Sequence, residues 1–428
     1  MKQTAAIIGT GIAGMACAHY LKDQFDLTIY EKNNYTGGHT NTVSVKEDDK
    51  LIPVDTGFMV FNEATYPNLI ELFDELGIES VETDMSFGVQ HRIKGIEYAC
   101  TNLKTFFAQR VNFVRPRHWK LLTEILRFFR EAKAYMTESH TDTISLKAFL
   151  ASRRFTKSFT ENYLLPMTAA IWSTPPSMML EYPALSLFRF LENHKLLGVG
   201  IQLKWRTVKG GSSTYRDKIM DPLKERIHSN SQVKTVINQG DKARVALLSG
   251  ESATYDHVIV ATHADQALAL LDSPTRDQQK YLSAFSYTKN PVVLHSDPSV
   301  MPAERNAWAS WNFRMEKNES EETVSSTHYW MNNLQNVSDR HDYFVSVNYA
   351  GQIDPSTVHW SMTYEHPVFT GKSIEAQKHL PSLNNNGPLY FCGSYYRNGF
   401  HEDALVSALD VVKRLKERTE VTHELLSI

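Results

Sequence analysis

Cysteine is nearly missing from this chain: Cys17, Cys100 and Cys392 are the only three in 428 residues. They are odd in number, far apart and free of any C-x-x-C pair, which excludes a disulfide framework and a thiolate zinc site. A reducing compartment, the cytoplasm, is expected from this. An excess of one charge is missing too. Lys and Arg number 45 against 48 Asp and Glu, for a net charge of −3, so there is no basic footprint for a nucleic acid. No run reaches the roughly 18 apolar residues that a membrane-spanning helix needs. Internal repeats, low-complexity linkers and long disordered tails are also lacking. His257, His263 and His295 stand isolated, with no metal-ligand spacing around them, and no metal is expected. What remains is a 42% apolar chain, long enough for two to three domains with a large core.

The first thirty-one residues carry the strongest pattern. AAIIGTGIAGMACAHYLKDQFDLTIYE reads as a buried strand, a glycine turn, a helix, a second strand and a terminal acid. Gly9, Gly11 and Gly14 follow the apolar run Ala5 to Ile8 with the G-x-G-x-x-G spacing. The first glycine permits the tight turn, the second lets backbone approach a pyrophosphate, and the third lets helix pack on strand. Gly9, Gly11, Ile12, Ala13 and Gly14 thus form a turn whose helix N-terminus faces phosphates. Glu31 stands twenty residues after Gly11, where its carboxylate can accept from a ribose diol and would repel a ribose phosphate. The single lysine before this apolar run gives it some look of a signal peptide, but the glycine spacing and the strand at Leu27 argue otherwise. An adenine dinucleotide is the expected ligand.

Further glycines select the dinucleotide. Gly37 and Gly38 come six and seven residues after Glu31, and VDTGFMVF brings Asp55 and Gly57. A simple NAD dehydrogenase has no use for a second glycine pair so soon, although an ordinary turn would also explain one. Extended FAD, threading through its domain, needs such close backbone approaches. The last segment, PLYFCGSYYRNGFHEDALVSALDVVKRL, offers a short strand, Gly393, a loop, Gly399 and a helix beginning near Glu402.

On Gly9, Gly11, Gly14, Glu31, Gly37, Gly38, His39, Gly210, Gly211, Gly393 and GFHEDAL, the chain resembles the flavin-containing amine oxidase and phytoene desaturase superfamily. Within it, the chain is similar to a subgroup of FAD-binding oxidoreductases resembling the N-terminal, oxidase-like part of plant cyclopropane fatty acid synthases. The resemblance implies a Rossmann-like α/β FAD-binding domain with an interleaved α+β substrate domain. It implies FAD held by the opening turn together with Gly38, His39, Gly57 and Gly393. Val236 would contact adenine through its backbone, and Glu402 and Ala404 would begin the helix facing the flavin. Two positions depart from the family: His39 stands where an arginine is common, and His401-Glu402-Asp403 replaces Met-Glu-Gly. Each histidine is open to three roles: proton relay, covalent flavin anchor or neutral hydrogen-bonding group. The N-terminal amides of the last helix would stabilise negative charge on the reduced cofactor.

The expected division is residues 1–75, 205–270 and 385–428 for the FAD-binding domain, and 76–204 and 271–384 for the substrate domain. The first substrate segment reads as helical. From Lys104 to Met136 it carries eight Lys or Arg and two Glu among six Phe and Trp residues. That composition suits peripheral contact with an anionic membrane or a solvated face over packed aromatics, and both readings stay open. The second segment reads as strands (NPVVLHSD, NAWASWNF, STHYWMNNL, YFVSVN) forming a cavity floor, with Trp172, Trp308, Trp311 and Trp330 as candidate lining. Chemistry in such proteins lives on the flavin, which takes a hydride from a C–H bond; no protein nucleophile is required and no catalytic residue is assigned. Lys289 is the one position that could match the lysine some amine oxidases place near their flavin. The leading expectation is oxidation or desaturation of an apolar, lipid or fatty acyl substrate. The alternatives are a genuine amine oxidase and a non-catalytic flavoprotein that partners a lipid-modifying enzyme.

Overall fold

The computed structural model describes residues 2–138, 144–172, 175–199 and 203–426. The apolar run Thr4–Ile8 is the middle strand of a five-stranded parallel sheet. Asp26–Tyr30 and His257–Val260 flank it, with Ile227–His228 and Leu389–Phe391 at the edges. Both faces of this sheet are covered, which is why its central strands read as unbroken apolar runs. Ala5, Ile7 and Ile259 pack toward the helices Ile12–Leu21 and His401–Leu426. Ala6, Val258 and Val260 pack toward an antiparallel meander of Val233–Asn238, Ala243–Leu247 and Ser252–Tyr255. The opening helix is apolar almost all round and nearly every residue of it is buried, as expected of an enclosed helix.

A second, seven-stranded sheet runs in the order Val358–Val368, Ser286–His295, Phe344–Val347, Thr323–Trp330, Trp311–Lys317, Phe87–His91, Ile96–Ala99. All its pairs are antiparallel except Trp311–Lys317 with Phe87–His91. Helices Pro116–Glu138, Leu165–Trp172 and Ala184–Asn193 form a layer beside it. Leu121, Ile125, Phe128 and Ala132 recur at helical spacing to make the buried stripe of Pro116–Glu138. Burial of each such large side chain stabilises by roughly 1.5–3 kcal/mol.

The expectation of an all-helical segment 76–204 needs correction. It begins with three strands, Ser80–Thr83, Phe87–His91 and Ile96–Ala99, before any helix. Phe87–His91 is buried at every position, so the alternation that marks a half-exposed strand is erased. The overall architecture is the mixed α/β fold anticipated.

Candidate active site

Stretches from both ends and from the middle of the chain meet around one cavity of about 1130 Å³. The glycine turn forms its floor at the C-terminal ends of the parallel strands, the usual place for a ligand in such sheets. Gly9 has φ +98°, and its N–H donates to the Tyr30 carbonyl at 2.9 Å. A Cβ on Gly14 would lie 1.9 Å from the Gly9 carbonyl oxygen, so helix and strand touch there. A Cβ on Gly11 would meet nothing within 4 Å, so the protein's own packing does not require glycine there. Gly11 is also the helix N-cap, and no side chain caps the first turn. The amides of Ile12 and Ala13 therefore remain available to an anion.

The second glycine pair closes on the first. Gly37 donates its N–H to the Thr10 carbonyl at 3.1 Å, and a Cβ on Gly38 would sit 3.3 Å from the Gly11 Cα. A Cβ on Gly57 would lie 2.3 Å from the His39 carbonyl oxygen. Glu31 is buried at the end of its strand. One carboxylate oxygen accepts from the Thr10 N–H (3.1 Å) and hydroxyl (2.5 Å), the other from the Asn33 N–H and side-chain amide (both 2.9 Å). The acid thereby ties the glycine turn to its own loop.

Gly9, Gly11, Ile12, Ala13, Glu31, Gly38, His39, Gly57, Gly393 and Ala404 all line the cavity, so most of the expected constellation is assembled. Gly14 supports from beneath. Two expected positions are corrected. Val236 does not line the cavity: it is fully buried, and its carbonyl accepts from the Asp272 N–H at 3.1 Å. Val233, at the start of the same strand, takes the place at the cavity wall. Glu402 is likewise absent from the lining, because its carboxylate accepts from the Asn68 N–H (3.0 Å) and the Leu69 N–H (2.9 Å). It caps the helix Pro67–Leu76, whose Tyr66 N-cap supplies no side-chain bond of its own. Asp403 has a similar local duty: it accepts from the Asn398 and Phe400 amides, and burial pushes its carboxyl up to about 6.

Five histidines among the described residues belong to the polar lining: His39, His194, His263, His366 and His401. His39 stacks on Tyr364 with ring centroids 4.5 Å apart, and His401 stacks on Phe58 at 3.9 Å. The Nε2 of His401 lies 3.1 Å from the Thr40 hydroxyl, and Asn290 donates its side-chain amide to Nδ1 of His366 at 2.8 Å. Burial pushes all three imidazoles down to about 3, with His263 and His401 adding to the effect at His39. They are neutral at physiological pH, so each ring has one donor and one acceptor nitrogen. His39 Nε2 is enclosed and has no hydrogen-bond partner.

Toward the helical layer the wall turns apolar. Met85, Phe87, Met167, Ile171, Trp172 and Phe190 line it, and Phe190 stacks on Phe400 at 5.3 Å. Of the four candidate tryptophans, Trp172 and Trp311 reach the cavity. The Arg305 guanidinium instead lies over the rings of Trp308 and Trp330 at 3.7 and 4.9 Å, the two rings meeting edge to face. Trp205 lines the cavity although no sequence signal singled it out. The strand Val358–Val368 was also missed; Met362, Tyr364 and His366 come from it. Lys289 is exposed and stands at the cavity edge, paired in register with Glu365. Among the described residues no group of His, Cys, Asp and Glu is placed to hold a metal, and no helix is long and apolar enough to cross a membrane.

Known proteins share this fold. A 75-residue stretch is 41% identical to 15-cis-phytoene desaturase of Synechococcus elongatus, spanning 17% of this chain and 15% of that protein. A solved structure of a putrescine oxidase double mutant superposes with a TM-score of 0.69 at 16% identity, covering 97% of this chain and 99% of the other. The fatty acid isomerase of P. acnes that produces CLA superposes with a TM-score of 0.66 at 14% identity, over 96% and 98% of the two chains. Likenesses at such identity speak for the fold. The family of flavin containing amine oxidoreductases matches residues 12–295, and with the glycine cradle in place the chain belongs to that family, as an FAD-dependent oxidoreductase.

Proposed function

We propose that the protein oxidises or desaturates an apolar lipid or fatty acyl substrate, with the substrate bound against the helical layer. The observation that carries this reading is the apolar wall of Met85, Phe87, Met167, Ile171, Trp172 and Phe190. Such a wall rewards burial of methylene groups at roughly 0.8 kcal/mol each. It gives a substrate ammonium no counter-ion: the only carboxylates among the described lining residues are Glu31 and Glu365. Glu31 is engaged by Thr10 and Asn33, and Glu365 lies 3.5 Å from His263 at the Lys289 edge. The similarity of the chain to a subgroup resembling the oxidase-like part of plant cyclopropane fatty acid synthases is in keeping with this reading. A lipid substrate resides in a bilayer, so contact with a membrane surface belongs to this reading, and a lipid-modifying enzyme is the partner it suggests.

FAD would lie with its pyrophosphate on Gly9–Gly14 and Gly38, its ribose at Glu31 and its adenine beside Val233. The flavin would then stand between His39, Gly57, His401 and Ala404. When bound, FAD supplies the hydride acceptor. The chain's own part is to orient the substrate, exclude water and offer neutral imidazoles that donate or accept a hydrogen bond without adding charge. The free amides opening the helix His401–Leu426 favour electron density on the cofactor.

Anaerobic titration of the yellow protein tests this directly. Fatty acyl lipids are expected to bleach the flavin, whereas small amines such as putrescine leave the spectrum unchanged. Bleaching by amines alone would overturn the lipid reading in favour of an amine oxidase. Under the lipid reading Lys289→Ala reoxidises as the parent does, because that lysine is exposed at the edge; a large slowing would favour the amine chemistry.

A further inference from the structure

We infer that the surface built by Leu103–Lys120 docks on an anionic lipid bilayer. The inference rests on surface chemistry and holds whether or not the substrate is a lipid. Within this stretch five large apolar side chains are exposed: Leu103 (62%), Val111 (47%), Phe113 (53%), Val114 (79%) and Trp119 (44%). They are nearly half of all exposed large hydrophobics among the described residues. Contiguous apolar exposure of this kind marks a contact surface rather than ordinary solvent.

The loop is shaped to present them. Phe107 is buried and stacks on Phe113 at 4.3 Å, with Trp119 packed on it at 4.7 Å. The Trp119 indole N–H donates to the Phe113 carbonyl at 2.9 Å. Three aromatic rings therefore brace each other, two of them half out of the protein. The neighbouring hairpin turn is tied to the loop where Gln109 donates its side-chain amide to the Gly95 carbonyl at 3.2 Å, and it adds exposed Ile93.

Charge chooses the occupant. The same stretch holds Lys104, Arg110, Arg115, Arg117 and Lys120 and no acidic residue. Arg115 donates to the Asn112 side-chain oxygen at 3.3 Å. Lys104, Arg110, Arg117 and Lys120 are exposed, and no ion pair engages them among the described residues. A second copy of this chain docked through the same face would set like charges against each other beside the apolar contact, which is costly. A bilayer does not: phenyl, indole and aliphatic groups enter the acyl boundary while the cations meet lipid phosphates. Each lysine or arginine near an anionic surface strengthens binding about five-fold, an effect that salt screens.

The experiment is co-sedimentation of the FAD-loaded protein with vesicles of phosphatidylcholine, and of phosphatidylcholine mixed with phosphatidylglycerol. The parent is expected to sediment with the anionic vesicles and to be released by salt. Arg117→Glu with Lys120→Glu is expected to weaken that binding by about 25-fold or more, from two losses of about five-fold each. Val114→Asp is expected to weaken it as well while leaving the cationic rim intact. All these side chains are exposed, so both variants should keep their flavin absorbance, which confirms that they are folded. Quenching of Trp119 by brominated acyl chains, read against Trp119→Phe, is expected in the parent. No sedimentation with either vesicle overturns the inference. Equal binding by parent and variants overturns it too, as does a dimer in solution that Val114→Asp dissociates without any vesicle binding.

Discussion

Gly11→Ala is expected to yield a folded protein that purifies without flavin. The residue sits at φ −60°, ψ 175°, open to any side chain, and its Cβ would meet no protein atom within 4 Å. The methyl would instead occupy the surface on which we place the pyrophosphate. A loss of at least about 3 kcal/mol, on the order of a hundredfold in affinity, is the expected effect. Gly14→Ala should do the opposite. In an ordinary helix interior alanine is better than glycine by roughly 0.5–1 kcal/mol, yet here its Cβ would stand 1.9 Å from the Gly9 carbonyl oxygen. Helix and strand must then separate, and the expected outcome is a destabilised or insoluble chain. The ratio of flavin to protein absorbance, together with a thermal melt, separates the two results. A Gly11→Ala protein that binds FAD as tightly as the parent would show that the pyrophosphate lies elsewhere.

Acid is expected to unfold the protein steeply between about pH 6.5 and pH 4, because buried histidines away from the cavity add to His39, His366 and His401 that line it. His295 and His328 are fully buried and joined through the Ser346 hydroxyl, which is 2.7 Å from a ring nitrogen of each. The Asp297 N–H donates to Nδ1 of His295, so that nitrogen must stay unprotonated and Nε2–H must donate to Ser346. Ser346 can then donate to Nδ1 of His328, whose Nε2–H donates to Ser326 at 2.9 Å. An added proton on either ring breaks this chain. Burial accordingly pushes His295 down to about 4 and His328 well down; His257, also buried, falls to about 4.

These are bases held neutral, which fixes the sign. Below about pH 6.5 the unfolded chain takes up protons that the folded chain refuses. Stability therefore falls with pH and levels off only below the folded values. At about 1.4 kcal/mol per pH unit, His257 and His295 each remove roughly 3 kcal/mol by pH 4, against a total of about 5–15 kcal/mol. A melting temperature that is flat from about pH 7 to about pH 4.5 would sink this account. His257→Gln provides the control: it can keep the contact with Gln3, 3.1 Å away in the parent. It should melt near the parent at neutral pH and lose less on acidification.

The sequence by itself determined what short stretches of chain determine. Strand, glycine turn, helix, second strand and Glu31 lie within the first thirty-one residues, and Gly14 answers to a contact with Gly9 inside that unit. Gly9, Gly11 and Gly14 could be assigned separate duties because turn, phosphate approach and helix–strand packing are local geometry. Near-continuous apolar runs such as Val258–Val260 likewise identified a parallel sheet, since only a strand covered on both faces can be so uniformly buried.

Tertiary structure alone decided which residues from distant stretches meet. Periodicity says that a face is buried but not against what. Val233 and Val236 are both buried in one strand, yet only where that strand enters the cavity rim could show that Val233 faces it. Glu402 sits in a motif that points toward the flavin, but its carboxylate reaches a helix N-terminus more than three hundred residues earlier in the chain. Trp172 and Trp311 line the cavity while Trp308 and Trp330 hold Arg305, a difference that composition cannot express. The exposed loop of Phe113, Val114 and Trp119 follows the same rule. Phe107 and Phe113 belong to one aromatic-rich segment, and only the packing that buries the first leaves the second facing outward.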